Sequence, residues 1–366
     1  MVVNRDKTQI IHFRTNRAPR TDFEFNYGAD SLAIVNEYKY LGVYFDEFMN
    51  FNYNASALSA AASRAMGLLR YKLKFLKECC CSTYTKLFSS YVCPILDYCA
   101  AIWGTKPFDC IEKVQRNALR YFLGVHKFAP NDFLLGEAGW VTCHARHHLA
   151  VLRLWNRLLE MPPHRLTSKI FLWDLTFSQC QGSWANAAFR IFDIIGLNHA
   201  FECMYPIDLN LAYSLIKMKE NEDWNTRRYS KEKLRYYNMI KPSLDIENYL
   251  FLNIPKYKRS LFAQLRAGIL PLNIETFRFR NIALENRICE VCNLNEIEDE
   301  IHFLCVCPLY NDYRTLLFEK AGQSYPDFAS LDNNIDIFVF LMTNCQRDTI
   351  SYVYNSFMRR RASLYS

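Results

Sequence analysis

The apolar pattern of this chain changes its period near Asn54. Before that residue, the segments TQIIHFR, DFEFNY and EYKYLGVYF are rich in β-branched and aromatic residues and are separated by turn-forming residues, as is typical of short strands. After it, apolar residues recur with the spacing of helices. The sequence therefore predicts an α+β fold that is mainly α, with a short β region at the N-terminus.

Two of the predicted helices combine an apolar face with a row of basic residues. In the segment IEKVQRNALRYFL, one side is apolar and is formed by Ile111, Val114, Ala118 and Phe122. The opposite side is cationic and carries Lys113, Arg116 and Arg120. The helix predicted at residues 55–77 has an apolar face of Leu58, Ala61, Ala65, Leu68 and Leu69, and a basic stripe of Arg70, Lys74 and Lys77.

Positive charge is concentrated in two parts of the chain. The whole sequence has 44 Lys and Arg against 37 Asp and Glu, whereas residues 56–159 alone hold 14 basic and 6 acidic residues. A second stretch, residues 251–288, has seven basic and two acidic residues and includes Lys258, Arg259 and Arg266. Such local fields attract polyanions such as nucleic acids, although a solvated helix face carries the same pattern.

The length of the chain and the changes in its residue pattern predict four consecutive parts, which cover residues 1–53, 54–162, 163–288 and 289–366. The second part ends where Pro162 and Pro163 stop a helix. No apolar run approaches the roughly 20 residues of a membrane helix, so we expect no membrane partner. Without a secretion signal, the 14 cysteines are expected to be reduced, in the cytoplasm or the nucleus.

A cysteine–histidine cluster near the C-terminus has the spacing of a metal site. Cys289, Cys292, His302 and Cys307 form the pattern C-x2-C-x9-H-x4-C, and zinc prefers such sulfur and nitrogen sets. Because four protein ligands fill a tetrahedral shell, the pattern predicts one structural zinc ion. Cys305 is an alternative to Cys307 as the fourth ligand. The segment from Cys289 to Asp312 has six acidic and no basic residues, so it is not expected to grip phosphate itself.

Several other chemistries lack their sequence signatures. The chain has no glycine-rich phosphate loop and no nucleophile elbow. The segment NYGAD, which ends at Asp30, partly matches the Tyr-x-Asp-Asp box of polymerases but lacks the second aspartate that two-metal phosphoryl transfer requires. His144, His147 and His148 share a predicted helix but have no intervening glutamate, which indicates core or surface histidines rather than a zinc protease site.

Several motifs of this chain, which follow one another in the same order as in that family, resemble the C-terminal half of a non-LTR (LINE-type) retrotransposon reverse transcriptase. NRDKTQII, starting at Asn4, resembles the last palm segment, and EYKYLGVYFD resembles the primer-grip hairpin. YVCPILDYCAAIWG and IEKVQRNALR resemble thumb helices, and the cluster beginning CEVC resembles the terminal zinc motif. The four parts would then be the end of the palm, the thumb, a helical linker and the zinc-binding module.

The resemblance implies roles for particular residues. Tyr40, Leu41 and Gly42 would form the turn that positions the primer end, and Lys7 would match a palm lysine that assists the leaving pyrophosphate. Template–primer duplex, target DNA and element RNA would be the partners. The basic residues that would contact them are Arg70, Lys74, Lys77, Lys113, Arg116, Arg120, Lys258, Arg259 and Arg266.

The resemblance also implies what the chain does not do alone. The catalytic aspartates, the rest of the N-terminal reverse transcriptase and the endonuclease domain would lie before Met1, so we expect this chain not to polymerise DNA by itself. Magnesium would be needed only together with that palm. Two alternatives remain open, namely a non-catalytic, element-derived interaction protein that contains zinc, and a non-functional relic.

Overall fold

The computed structural model describes Asn4, residues 7–75 and residues 79–365. The described chain is mainly helical, with short strands confined to its N-terminal part, which confirms the predicted α+β, mainly α class. None of the helices among these residues combines the length and the apolar composition that crossing a bilayer requires.

The strands form two antiparallel hairpins. In the first, β1 (Phe25–Tyr27) pairs with β2 (Asp30–Leu32), and in the second, β3 (Glu37–Tyr40) pairs with β4 (Val43–Asp46). The prediction of a further strand at residues 8–14 is wrong. In that segment Ile10 alone forms a bridge, to Ile34, because no second strand runs alongside to extend the ladder.

Seventeen α-helices lie in the described residues. The first nine are α1 (Asn52–Leu73), α2 (Cys81–Tyr91), α3 (Cys93–Leu96), α4 (Ala100–Trp103), α5 (Asp109–Leu123), α6 (Asn131–Ala138), α7 (Cys143–Leu159), α8 (Leu166–Leu175) and α9 (Trp184–Ile194). The others are α10 (Asn198–Glu202), α11 (Leu209–Tyr229), α12 (Tyr237–Ile240), α13 (Lys256–Arg266), α14 (Asn273–Thr276), α15 (Asn311–Ser324), α16 (Asn334–Thr343) and α17 (Gln346–Tyr365).

The chain forms two compact units, and each of them is assembled from three separate stretches. Unit 1 comprises Met1–Arg70, Phe88–Gln115 and Cys143–Ile216, and unit 2 comprises Tyr71–Leu87, Arg116–Thr142 and Lys217–Ser366. The four consecutive parts expected from the sequence stay a prediction.

In unit 1, the segment that links α3 and α4 packs on α7 through polar contacts. Arg146 Nε donates to Asp97 at 3.0 Å, and His147 Nε2 lies 3.2 Å from the same carboxylate. The ring of His147 also meets the buried ring of Trp103 edge-on. His148, the next residue, is buried as well. Of the three histidines, His147 and His148 therefore lie in the core, as the sequence indicated.

In unit 2, a buried ion network ties together three segments that are distant in the sequence. The guanidinium of Arg266, on α13, has no exposed surface and lies 3.0 Å from Glu137 of α6 and 2.8 Å from Glu247. The ammonium of Lys241 lies 2.8 Å from the other oxygen of Glu247. Two carboxylates therefore meet two cations, which compensates charges that would be costly to bury alone.

The predicted apolar face of α5 is confirmed, whereas that predicted for α1 is correct only at Leu69. On α5 the predicted apolar residues are all buried. On α1 the buried apolar residues are Ala55, Ala62, Met66, Leu69 and Leu73, so Leu69 alone of the predicted face is buried. Leu68 is 62% exposed. Because alanines surround α1 on most sides, its sequence specifies no single apolar stripe, and packing selects the face.

Candidate metal centre and nucleic-acid interface

A short β-like turn brings Cys289 and Cys292 together. The backbone amide of Cys289 donates to the carbonyl of Glu296 at 2.9 Å, and Ile288 forms an antiparallel bridge with Ile297. Asn295 has a φ of +55°, a left-handed conformation that asparagine tolerates. The chain therefore reverses within a few residues and presents both thiols on the same side.

The next turn of the chain places His302 and Cys307 beside the two thiols. The backbone amide of His302 donates to Oδ1 of Asp299 at 2.8 Å, which caps the helical turn that His302 begins. That turn, His302–Val306, is a π-helix, and the amide of Cys307 closes it with a 2.8 Å bond to the carbonyl of His302. The wide turn brings the thiol of Cys307 back beside the imidazole.

The four predicted ligands converge on one point. The ligand atoms of Cys289, Cys292, His302 and Cys307 all lie within 4.8 Å of one another, and Cys292 Sγ is 3.4 Å from His302 Nε2. Cys292 is partly exposed, whereas the other three are buried. This group can hold a metal ion, as the spacing predicted.

Carboxylates hold the ligands in place. Nδ1 of His302 lies 3.1 Å from Oε2 of Glu296, which leaves Nε2 facing the thiols. Metal-binding histidines commonly have such a partner on the other ring nitrogen. Glu298 lies on another side, with Oε1 3.8 Å from Cys289 Sγ. The acidic segment thus supports the cluster.

The electrostatics of the cluster favour a bound cation. The hydrogen bond with Cys307, followed by burial, raises the pKa of Cys289 well above its ordinary value. The same hydrogen bond lowers the pKa of Cys307. One thiol therefore keeps its proton at the expense of the other, because neighbouring thiolates repel. A metal cation removes this conflict by compensating all three thiolates.

The structure also decides between the two candidates for the fourth ligand. Cys307 belongs to the cluster. Cys305 does not, since its sulfur lies 3.6 Å from the carbonyl oxygen of Asn334, and burial raises the pKa of its thiol to about 12. A neutral thiol that points away from the cluster is a structural residue rather than a ligand.

The hairpin of β3 and β4 has Tyr40, Leu41 and Gly42 at its tip. Leu41 and Gly42 form the two-residue turn with φ values of +46° and +89°, both left-handed, as a tight hairpin turn requires. Tyr40 is 59% exposed and Leu41 is 74% exposed. The hydroxyl of Tyr98 donates a hydrogen bond to the carbonyl of Leu41 at 2.8 Å, and this bond anchors the tip of the hairpin.

Lys7 is exposed, and its backbone carbonyl accepts a hydrogen bond from the hydroxyl of Tyr38 on β3.

The basic stripes of α5 and α1 differ in how much of each side chain reaches solvent. On α5, Lys113 is exposed and Arg116 is partly exposed. Arg120 is partly buried and donates to Oδ1 of Asn131 at 2.7 Å, so it also holds the start of α6.

Near the end of α1, Arg70 is partly buried. Lys74 follows the helix and is exposed. Lys77 lies outside the described residues.

The expectation that Arg259 and Arg266 contact nucleic acid is wrong. Arg259 is buried and donates to the carbonyl of Phe122 at 3.0 Å, with its guanidinium stacked 4.2 Å from the ring of Phe122. Arg266 is enclosed in the carboxylate network of unit 2. Neither guanidinium can face a phosphate. Lys258 is partly exposed and lies 5.2 Å from the ring of Tyr354.

Several residues that build these sites were missed by reasoning from the sequence. Tyr98 lies within the thumb-like segment, and Glu296 and Glu298 lie within the cysteine–histidine segment, but the sequence does not show which residues they contact. For Glu296 and Glu298 a signal existed, because acidic residues within a cysteine–histidine cluster commonly hydrogen-bond the metal-binding side chains. For Tyr98 no comparable signal exists, since its partner Leu41 lies 57 residues earlier.

Comparisons of the chain with models of known protein families, with curated proteins and with solved structures gave no match. The resemblance to reverse transcriptases therefore stays a prediction made from the motifs of this sequence.

Proposed function

We propose that this chain carries the nucleic-acid-binding thumb and the zinc module of a non-LTR retrotransposon reverse transcriptase. It binds the template–primer duplex through the phosphate backbone, while polymerisation itself requires the catalytic palm and its magnesium. The observation that carries the proposal is the hydrogen bond from Tyr98 to Leu41, because it joins the primer-grip-like hairpin to the thumb-like segment. Two motifs that both resemble this family are therefore in direct contact, which supports the proposal.

The hairpin tip has the chemistry for holding a primer end. Tyr40 and Leu41 expose an aromatic ring and an aliphatic chain, which can pack on sugars and bases irrespective of sequence. The carbonyl of Leu41 is fixed by Tyr98, and the left-handed turn leaves little freedom to Gly42. A rigid apolar tip of this kind positions a strand end without reading its bases.

Helix α5 supplies the electrostatic part of the proposed function. Lys113 and Arg116 lie three residues apart, and therefore on one side of the helix, while the opposite side is buried. Cations at that spacing neutralise phosphates of a duplex backbone and release condensed counterions. Arg120 contributes less than its position suggests, because Asn131 engages its guanidinium.

The metal that fits the cysteine–histidine cluster best is zinc, in a structural role. Three sulfurs and one imidazole nitrogen are a donor set that zinc accepts in tetrahedral geometry, with ligand atoms about 3.8 Å apart. In the structure the four ligand atoms lie within 4.8 Å of one another, so they need to move together only slightly to coordinate one ion. Because four protein ligands complete the shell, Cys289, Cys292, His302 and Cys307 would leave no position for a reactive water. The ion would hold the fold of this segment.

The proposal is tested by the salt dependence of binding to an RNA–DNA duplex. We expect the full chain to bind tightly and with little sequence preference, and the double variant Lys113→Gln/Arg116→Gln to reduce the salt slope by up to about 1.8, or 0.9 per phosphate contact. The matched control is Arg153→Gln/Arg157→Gln, which removes two exposed charges from α7. Equal slopes for the two double variants, or no binding by the native chain, would contradict the proposal.

A further inference from the structure

A cleft of about 420 Å³ opens beside the metal cluster in unit 2. One wall is the last part of α17, with Phe357, Arg361 and Leu364, and the other is the segment from Pro271 to Arg280. The volume lies in the lower part of the range of roughly 300–1,000 Å³ found for small-ligand sites. It therefore suits one small molecule, or one unit of a polymer, and is too narrow for a duplex.

The charges around the cleft favour an anion. Arg280 and Arg361 line it and are both exposed. Arg360 also lines it, but its charge is compensated by Glu298. The acidic lining residue is Glu290, so the two exposed guanidiniums exceed the negative charge by one. Guanidinium groups bind phosphate oxygens in a bidentate manner, and one phosphodiester carries one negative charge.

The remaining surface of the cleft suits a planar, apolar group. Phe277 lies under Arg280, whose guanidinium is 5.4 Å from the centre of the ring. Phe357 and Leu364 face it from α17. Aromatic side chains beside arginines are the usual platform for an unpaired base, because every base can stack on a ring while its phosphate meets the cation.

The walls of the cleft are joined at the carboxylate of Glu298. From α17, Arg360 Nε donates to Oε1 at 2.6 Å, and from the opposite wall, the backbone amide of Asn273 donates to Oε2 at 2.7 Å. Oε1 also lies 3.8 Å from Sγ of Cys289. The cleft is therefore built onto the metal cluster, and loss of the metal would loosen it.

We propose that this cleft binds one unpaired nucleotide of a single-stranded nucleic acid, with the phosphate on Arg280 and Arg361 and the base against Phe277. The inference rests on the proposed function and adds a second contact, separate from the duplex-binding helix α5. It also explains how an acidic metal segment takes part in nucleic-acid binding, since the cations come from its neighbours.

The test uses the full, zinc-loaded chain and a fluorescent 5′-phosphorylated thymidine hexanucleotide. We expect Arg280→Gln/Arg361→Gln to weaken binding at least tenfold and to reduce the salt slope by about 0.7, the value for one phosphate contact on a single strand. Arg280→Lys/Arg361→Lys should keep the salt slope while losing affinity, because lysine retains the charge without the planar fork. Metal content checks that each variant is folded around the cluster.

The matched control is Arg347→Gln, an exposed arginine on the same helix α17 and about 21 Å from Arg361 along it. The inference is overturned if Arg280→Gln/Arg361→Gln binds as the native chain does, or if Arg347→Gln weakens binding equally. Adenosine monophosphate is the third arm. If it competes as strongly as unlabelled hexanucleotide, a free nucleotide is the ligand and the assignment to a strand fails.

Failure of the duplex-binding proposal has a different signature. The variant Lys113→Gln/Arg116→Gln should bind the hexanucleotide as the native chain does, while losing affinity for the duplex. If the native chain binds no duplex but its cleft variants lose the hexanucleotide, the cleft inference stands and the thumb proposal fails. If duplex binding behaves as expected and the cleft variants change nothing, the reverse holds.

Discussion

Nε of Arg360 donates a 2.6 Å hydrogen bond to Oε1 of Glu298, and this buried pair fastens the C-terminal helix to the metal segment. The two residues are 62 positions apart in the sequence. Glu298 is 1% exposed and Arg360 is 5% exposed, so each depends on the other for charge compensation. The pair therefore connects the fold of the cluster to that of α17.

We expect Glu298→Gln to lower the free energy of unfolding by about 3–5 kcal/mol, because it leaves the charge of Arg360 buried without a counter-ion. Denaturant unfolding of the full chain measures this. The matched control is Asp312→Asn, which removes a carboxylate paired with Arg359 at the surface. That change should cost less than about 1 kcal/mol. Equal effects of the two substitutions would contradict the role assigned to Glu298.

Cys292→Ser should abolish binding of the proposed zinc ion, since three remaining ligands bind the metal much more weakly. Elemental analysis of the purified protein gives the zinc content directly. Cys305→Ser is the control, because Cys305 lies two residues from Cys307 but outside the cluster. It should keep the full zinc content. If Cys305→Ser lost zinc and Cys307→Ser kept it, the assigned ligand set would be incorrect.

Gly42→Ala should destabilise the protein more than Gly28→Ala does. Both glycines have a left-handed backbone, which costs another residue about 1–2 kcal/mol. At Gly28 an added Cβ meets no heavy atom within 4 Å, whereas at Gly42 it would lie 2.9 Å from the ring of Tyr98. The crowding adds about 1–3 kcal/mol.

Thermal and denaturant unfolding measure both glycine variants. The double variant Gly42→Ala/Tyr98→Ala separates the two causes, because it removes the ring that an added Cβ would meet. We expect it to cost less than the sum of its single substitutions. Strict additivity would mean that crowding by Tyr98 does not contribute.

The thiol of Cys80 should react fastest above pH 7. Hydrogen bonds from Ser82, at 3.2 Å, and Thr83, at 3.1 Å, stabilise its thiolate and lower the pKa from 9.0 to about 7. The thiolate fraction therefore rises tenfold per pH unit below 7 and levels off above it. The neighbouring Cys81 should stay slow, because burial raises the pKa of its thiol to about 11.

Alkylation by iodoacetamide, followed by mass spectrometry of the peptide that contains Cys80, measures this pH profile. In the variant Ser82→Ala/Thr83→Ala the plateau should move towards pH 9, since the bonds that favour the thiolate are gone. A native profile that levels off only near pH 9 would show that the two hydroxyls do not act on Cys80.

Local patterns allowed part of the fold to be predicted. Helix α5 has clearly separated apolar and basic sides, and the buried side is the one that the spacing of Ile111 and Val114 indicates. Helix α1 has alanines on most sides, so the period defined a helix but not its buried face. Leu68 was placed in the core by that reasoning and is instead exposed. Amphipathicity predicts orientation only where the polar face is unambiguous.

The sequence by itself determined the metal cluster, because Cys289 and Cys307 are only 18 positions apart and two local turns suffice to bring all four ligands together. Only the tertiary structure decided the role of Arg266. Its residue type and its basic neighbourhood suggested a surface cation, but its partner Glu137 lies 129 residues earlier in the chain. A charge is exposed or compensated according to what the fold brings beside it, and a partner at that separation leaves no mark in the local sequence.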